Sequence, residues 1–246
     1  MPISKPFLIL QLRPEDDTSD NEFAAILKYG GLQENEVRRI RIEKNGIPQL
    51  NLDDYSAIIV GGSPFDISTP FEHKSAIQKQ IEADFNALFD QIVKNDFPFL
   101  GACSGNGLLG SYLGTSISSQ YSEAVGCVTL TLTEEGKKDV LLAGFPEQIN
   151  VLLGHKEACD CTPRGATLLM TGSVCPVQMF RLGENVYATQ FHPEGDSAGF
   201  ILRIHAYKHH GYFKPHEAED LIKAVSKQDT PYARKILLRF VERYSS

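Results

Sequence analysis

No run of basic residues appears anywhere in the 246-residue chain, whose formal net charge is −7 with a pI near 5.5. Nucleic-acid binders carry a basic patch or stripe, so nucleic acid is not an expected partner; the acidity serves solubility. Nor does any stretch approach the roughly 18 apolar residues of a membrane span, so no membrane role is expected. The N-terminal stretch MPISKPFLILQLRPEDD holds only the short apolar run Phe7 to Leu10, too short for the core of a signal peptide, which leaves the cytoplasm as the expected location. The five cysteines, Cys103, Cys127, Cys159, Cys161 and Cys175, are odd in number and scattered, against a secreted disulfide framework. Cys159-Asp160-Cys161 is C-x-C with no second pair, so no metal site is expected. There is no P-loop, repeat, low-complexity segment or evident linker. The chain reads as one unit over 1–246, with a core over 1–204 and a helical C-terminal extension over 205–246.

The first half alternates strands and helices. FLILQL (7–12), EVRRIRI (36–42), SAIIVGG (56–62) and FPFLGA (97–102) read as strands. A helix with possible caps at Thr18 and Ser19 is stopped by Gly30-Gly31, and a long amphipathic helix from Glu72 to Lys94 turns Ile77, Ile81, Phe85, Leu88, Phe89 and Ile92 inward. NGLLGSYLG (106–114) reads as a short helix. This alternation implies a central, mostly parallel sheet flanked by helices. After residue 120 the pattern changes to strands and hairpins, including VQMFRLGENVYATQF (177–191) turning at 183–185. From about Asp196 the chain is helical again. Its last two amphipathic helices, with Leu221, Ile222, Leu237, Leu238 and Phe240, are expected to pack on the chain itself.

Three short segments carry chemistry. In FLGACSGNGLLG (99–110), Cys103 sits between Gly101 and Gly105, straight after an apolar strand and just before a helix. A strand–nucleophile–helix turn holds its apex residue exposed and needs glycines where chain segments crowd. The following helix N-terminus favours thiolate: an ordinary thiol is about 3% ionised at pH 7, and a drop of about two pKa units would make that about three quarters. In YATQFHPEG (187–195), Pro193 keeps His192 extended, so His192 and Glu194 project to the same side and the carboxylate can bond one ring nitrogen. That leaves the other nitrogen for a thiol, which is nucleophile–base–orienter logic. VGGSP (60–64) ends a strand, where backbone N–H groups can face a developing oxyanion. Each has an ordinary structural explanation alone: a small buried thiol, a strand end, a glycine turn. Of the seven histidines, His73, His205, His209, His210 and His216 lie in polar, exposed sequence, whereas His155 after VLLG can border a pocket.

In this order the segments GGSP, GACSG and QFHPE resemble the oxyanion loop, elbow and His-x-Glu end of the class I, triad-type glutamine amidotransferases. CPVQMFRLGENVYATQFHPE (175–194) is especially similar to stand-alone members related to the amidotransferase domain of GMP synthase. The resemblance spans about 7–204 and implies a flavodoxin-like α/β fold with a small antiparallel β addition and C-terminal helices. It implies that Cys103 attacks the side-chain amide of glutamine to form a γ-glutamyl thioester, that His192 is base and acid, and that Glu194 orients it. Gly62 and Ser104 would supply oxyanion N–H groups. No cofactor is implied, and the ammonia would pass to a synthetase partner. One departure matters: the family elbow reads G-x-C-x-G-x-Q, and the substrate-holding Gln is here Gly107, preceded by Asn106. Asn106 could substitute, or Glu123 could hold the α-ammonium. A pocket enlarged at Gly107 leaves open a γ-glutamyl peptidase with the same triad, or an inactive binding or regulatory protein on this scaffold.

Overall fold

In the computed structural model, residues 5–245 are described; the first four residues of the N-terminal stretch, and residue 246 of the expected unit, lie outside them. In chain order the elements are β1 (Phe7–Gln11), α1 (Asp16–Gly30), β2 (Val37–Arg41), α2 (Ile42–Asn45), β3 (Ile58–Val60), α3 (Ala76–Asn95), β4 (Phe99–Ala102), α4 (Ser104–Tyr112), β5 (Ile117–Ser118), β6 (Glu123–Leu132), α5 (Glu134–Lys138), β7 (Gln148–His155), β8 (Ala158–Cys159), β9 (Ala166–Thr171), β10 (Met179–Leu182), β11 (Val186–Thr189), α6 (Ser197–Ala206), α7 (Ala218–Val225) and α8 (Pro231–Tyr244). Nine strands form one sheet in the order β2-β1-β3-β4-β11-β10-β9-β6-β7. The first five are mutually parallel; from β10 outward each pairs antiparallel with its neighbour. The antiparallel strands thus extend the main sheet, and only β5 and β8 form a separate two-stranded ribbon.

Side chains alternate across β1 and sort the core into two faces. Phe7 and Ile9 join Ile26 of α1 and Ile236, Leu237 and Phe240 of α8. Leu8 and Leu10 join Ile81, Phe85, Phe89 and Ile92 of α3. Both faces of the parallel half are therefore covered, which is why its strands read as unbroken apolar runs. The last helices pack inward as expected: α8 on the first face, and Leu221 and Ile222 of α7 against Leu152, Phe200 and Ile204.

Several boundaries differ from the sequence reading. α1 starts at Asp16, so Thr18 and Ser19 are buried helical residues and not caps; Gly31 does close the helix, at φ 70. α3 begins after Ser75, whose hydroxyl accepts the Gln78 N–H, while Glu72 lies in a preceding 3-10 turn. α4 begins at Ser104, directly after the cysteine. The β10–β11 hairpin turns at Gly183, at φ 59. Because β1, β3, β4 and β11 run in parallel register, with Leu10 beside Val60, Val60 beside Gly101 and Ala102 beside Thr189, the segments leaving their carboxyl ends meet at one edge. Those segments bear Arg13, Gly62, Cys103 and His192.

Candidate active site

Cys103 alone makes the turn from β4 to α4, at φ 53 and ψ −95. A non-glycine residue in that region costs of order 1–3 kcal/mol and persists only where its surroundings hold it. Here the Cys103 N–H donates to the Thr189 carbonyl at 2.8 Å, and its own carbonyl accepts the N–H groups of Asn106 at 3.0 Å and Gly107 at 3.1 Å. The flanking glycines are sterically required at the first position and close-packed at the second. A Cβ on Gly101 would lie 2.8 Å from the Gly105 carbonyl carbon, and one on Gly105 would lie 3.3 Å from the Val60 Cβ.

His192 lies three residues past the end of β11, on a loop and not within the strand. Its N–H donates to the Leu152 carbonyl at 3.1 Å, and Nδ1 is 2.8 Å from Glu194 Oε1. With Nδ1–H donating to the carboxylate, the Nε2 lone pair is left free. Cys103 and His192 line one cavity of about 30 Å³. Burial pushes the Cys103 thiol up to about 12, outweighing the nearby Arg13 guanidinium. The resting thiol is therefore neutral, and the thiolate expected from the helix N-terminus is not the resting form. Burial likewise lowers the affinity of His192 for a proton, although Glu194 pulls the other way. Burial opposes ionisation of Glu194, but the His192 ring and the Arg203 guanidinium hold its carboxyl well below the usual range.

Behind the pair lies an ionic network not evident in the sequence. Glu22 of α1 is fully buried and accepts from Arg13 Nε at 2.6 Å, from Gln11 Nε2 at 3.1 Å and from the Gly62 N–H at 3.2 Å. Arg203 of α6 donates from Nη2 to Glu194 Oε1 at 2.9 Å. The charges explain the glycine pair in VGGSP. A side chain on Gly61 would fall on the Glu22 carboxylate, and a Cβ on Gly62 would lie 2.5 Å from Arg13 Nη2 and 2.8 Å from His192 Cε1. A charged residue amid the apolar positions of GFILRIHA was the available signal for Arg203; nothing local pairs it with Glu22, far away in sequence.

The expected oxyanion and substrate residues fare unequally. The Ser104 N–H opens α4 beside the thiol and has no acceptor within the helix. The Ser104 hydroxyl accepts the Ser63 N–H at 2.8 Å. The Gly62 N–H, by contrast, is donated to Glu22 and not to the cavity. Gly107 borders a second cavity, of about 20 Å³, that shares Cys103 and Ser104 and is also lined by Ile67, His155, Lys156 and Glu157. The space beside Gly107 is not vacant: a Cβ there would lie 2.7 Å from Ile67 Cδ1, so an apolar side chain from another loop fills it and the pocket is not enlarged. Asn106 lies fully buried against Cys159, with Oδ1 3.3 Å from its Sγ, and lines neither cavity. Glu123 also lines neither; its Oε2 accepts from Gln178 Nε2 at 2.6 Å and lies 3.1 Å from His155 Nε2. The five histidines expected at the surface are exposed.

Three segments meet beside the half-buried thiol. The Tyr212 hydroxyl donates to the Ser63 carbonyl at 3.0 Å, and Tyr212 borders both cavities. Lys156 pairs with Asp66 at 2.6 Å and lies 4.8 Å from the Tyr212 ring centre. Glu157 accepts the N–H groups of Ile67 at 2.6 Å and Ser68 at 2.8 Å. Two groups of acids, histidine and thiol bring ligand-type atoms within 4.8 Å of one another, Glu22–His192–Glu194 and Glu123–His155–Cys175. In the first, arginines already neutralise both carboxylates. In the second, the carboxylate is engaged by His155 and Gln178.

A thiol on a strand-to-helix turn and a carboxylate-oriented histidine, both at the carboxyl edge of a parallel sheet, have the layout of a cysteine amidohydrolase. Comparison with known proteins makes the assignment specific. The model for Glutamine amidotransferase class-I matches residues 19–201, and the chain belongs to that family. It is 28% identical over 144 residues to a glutamine-hydrolyzing GMP synthase subunit of Sulfurisphaera tokodaii, covering 58% of this chain and 69% of that one. It is 29% identical over 144 residues to the glutamine amidotransferase-like protein YfeJ of Salmonella typhimurium, covering 58% of this chain and 59% of the relative. The similarity to the longer GMP synthase of Streptomyces avermitilis covers only 30% of that protein. A glutamine amidotransferase structure from Thermotoga maritima superposes with a TM-score of 0.75 at 23% identity, over 96% of this chain and 98% of the other, showing the same fold. No helix among the described residues is long and apolar enough to cross a membrane.

Proposed function

We propose that the protein hydrolyses the side-chain amide of glutamine, releasing ammonia and glutamate through a γ-glutamyl thioester on Cys103. His192 Nε2 takes the thiol proton as sulfur attacks the amide carbon, then gives that proton to the departing nitrogen, which leaves as ammonia. Water adds to the thioester, giving a proton to His192, and the thiol recovers it as glutamate departs. Glu194 holds the ring in the productive tautomer. The Ser104 N–H serves the oxyanion, and the Gly62 N–H joins it when released by Glu22. The observation that carries this reading is the 2.8 Å Nδ1–Glu194 contact beside a thiol on a strained turn.

The named activity of the glutamine-hydrolyzing GMP synthase relatives supports both glutamine as substrate and an ammonia-accepting synthetase as partner. The free state of all five cysteines agrees with a reducing cytoplasm. The C-terminal extension, through α8, belongs to the same folded unit. The deciding assay is glutamate release from L-glutamine by the purified protein beside Cys103→Ala. We expect release by the wild type and a loss of about three orders of magnitude or more in the variant. Inertness toward glutamine together with turnover of γ-glutamyl peptides would replace this reading with the peptidase.

A further inference from the structure

Arg203 stands between two buried carboxylates of different origin. Its Nη2 donates to Glu194 Oε1 at 2.9 Å and lies 3.9 Å from Glu22 Oε2. The side chain is only 8% exposed. Its Nε and Nη1 have no hydrogen-bond partner, and the residue lines the cavity it shares with Cys103 and His192. A buried guanidinium with two idle donors is a poor device for stability, because each unsatisfied polar group carries a desolvation cost and an apolar side chain of similar volume would avoid it. Its charge and its position have to supply the reason for it. Glu22 also holds the Gly62 N–H, so the chain Glu194–Arg203–Glu22–Gly62 joins the carboxylate behind the histidine to the glycine loop beside it.

We infer that Arg203 is a positioning residue of this site, holding Glu194 against His192 and, through Glu22, fixing the glycine loop in the same frame. The inference rests on the reading of Cys103, His192 and Glu194 as a working triad. The acidic and basic groups facing Cys103 and His192 are Arg13, Glu22 and Glu194 behind them, Arg203 from α6, and Asp66, His155, Lys156 and Glu157 around the second cavity. The phenols of Tyr207 and Tyr212 line the same cavity. Of the cations, both Arg13 and Arg203 disfavour protons on Cys103 and on His192. Removing Arg203 therefore makes both groups hold protons more tightly.

The test is alkylation of Cys103 by iodoacetamide, followed by peptide mass spectrometry between about pH 5 and about pH 10, on wild type, Arg203→Met and Arg203→Lys. The whole range lies below the midpoint of the buried thiol, so the alkylation rate is the readout, and we expect it to fall about tenfold across the range in Arg203→Met. Arg203→Lys, which keeps the charge, should restore the rate. Circular dichroism and Tm establish that each variant is folded, and Arg203→Gln replaces the methionine variant if that does not fold. A folded neutral variant with the wild-type rate throughout would overturn the inference, as would an equal loss of rate in Arg203→Lys. Alkylation does not require glutamine to be the substrate. A protein that releases no glutamate yet shows these rate changes would sink the glutaminase reading and keep the positioning role.

Discussion

Cys103 and His192 line one cavity, and burial favours the uncharged form of each. In the proposed reaction the thiolate then forms only as the proton moves to the ring. This fixes the sign of the pH dependence. His192 acts as a base only when unprotonated, and burial lowers its affinity for a proton below that of an ordinary histidine. The acid limb of kcat/KM for glutamate release should therefore lie below about pH 6.5, with activity lost as pH falls through it. A limb above that value would show that the carboxylate governs His192 and not burial. The pairing of His192 with Glu194 was legible because extended residues two apart share a side, a purely local rule. Glu22 and Arg203 were not, because the ion pairs that give them meaning join α1 to α6 across most of the chain, and no periodicity encodes such a meeting.

Among the elements, the glycine-rich turn shows how far local rules reach. Gly101 and Gly105 follow from strand and helix crossing closely, a local arrangement the sequence already suggests, with the tighter contact at Gly101. Gly107 does not: its missing side chain is balanced by Ile67, contributed by the loop after β3. That complementarity predicts a coupled pair. Gly107→Gln alone should clash with Ile67 and lower kcat/KM for glutamine, whereas adding Ile67→Ala should recover most of the loss. A double-mutant cycle on glutamate release should show a coupling of about 1–2 kcal/mol. Additive effects would mean that the two positions do not share one space. The boundaries that shifted also have local physical causes. α4 starts at Ser104 because the cysteine itself makes the turn, and α1 starts before Thr18 because Asp16 and Asp17 occupy its first turn, where acidic groups suit the helix dipole. The antiparallel strands were legible as strands, but their union with the parallel sheet was not, since pairing partners are a property of the assembled sheet.

Across the whole molecule, the C-terminal helices complete the core: Phe240 of α8 stacks edge-on to Tyr187 at 6.4 Å between ring centres. The segment after α6 brings Tyr212 to the two small cavities that Cys103 borders, of about 30 and 20 Å³. The burial of this thiol has a consequence for survival in air. A thiol that burial holds protonated is a slow target for peroxide, since oxidation proceeds from an accessible thiolate. Cys161 lies exposed at the surface. In protein treated with dilute peroxide at neutral pH, peptide mass spectrometry should find sulfenic acid or its products on Cys161 well before Cys103, and the reverse order would show that Cys103 rests as the thiolate. At rest, then, the protein keeps the sulfur at its strand-to-helix turn reduced by burial and leaves a surface thiol to meet the oxidant first.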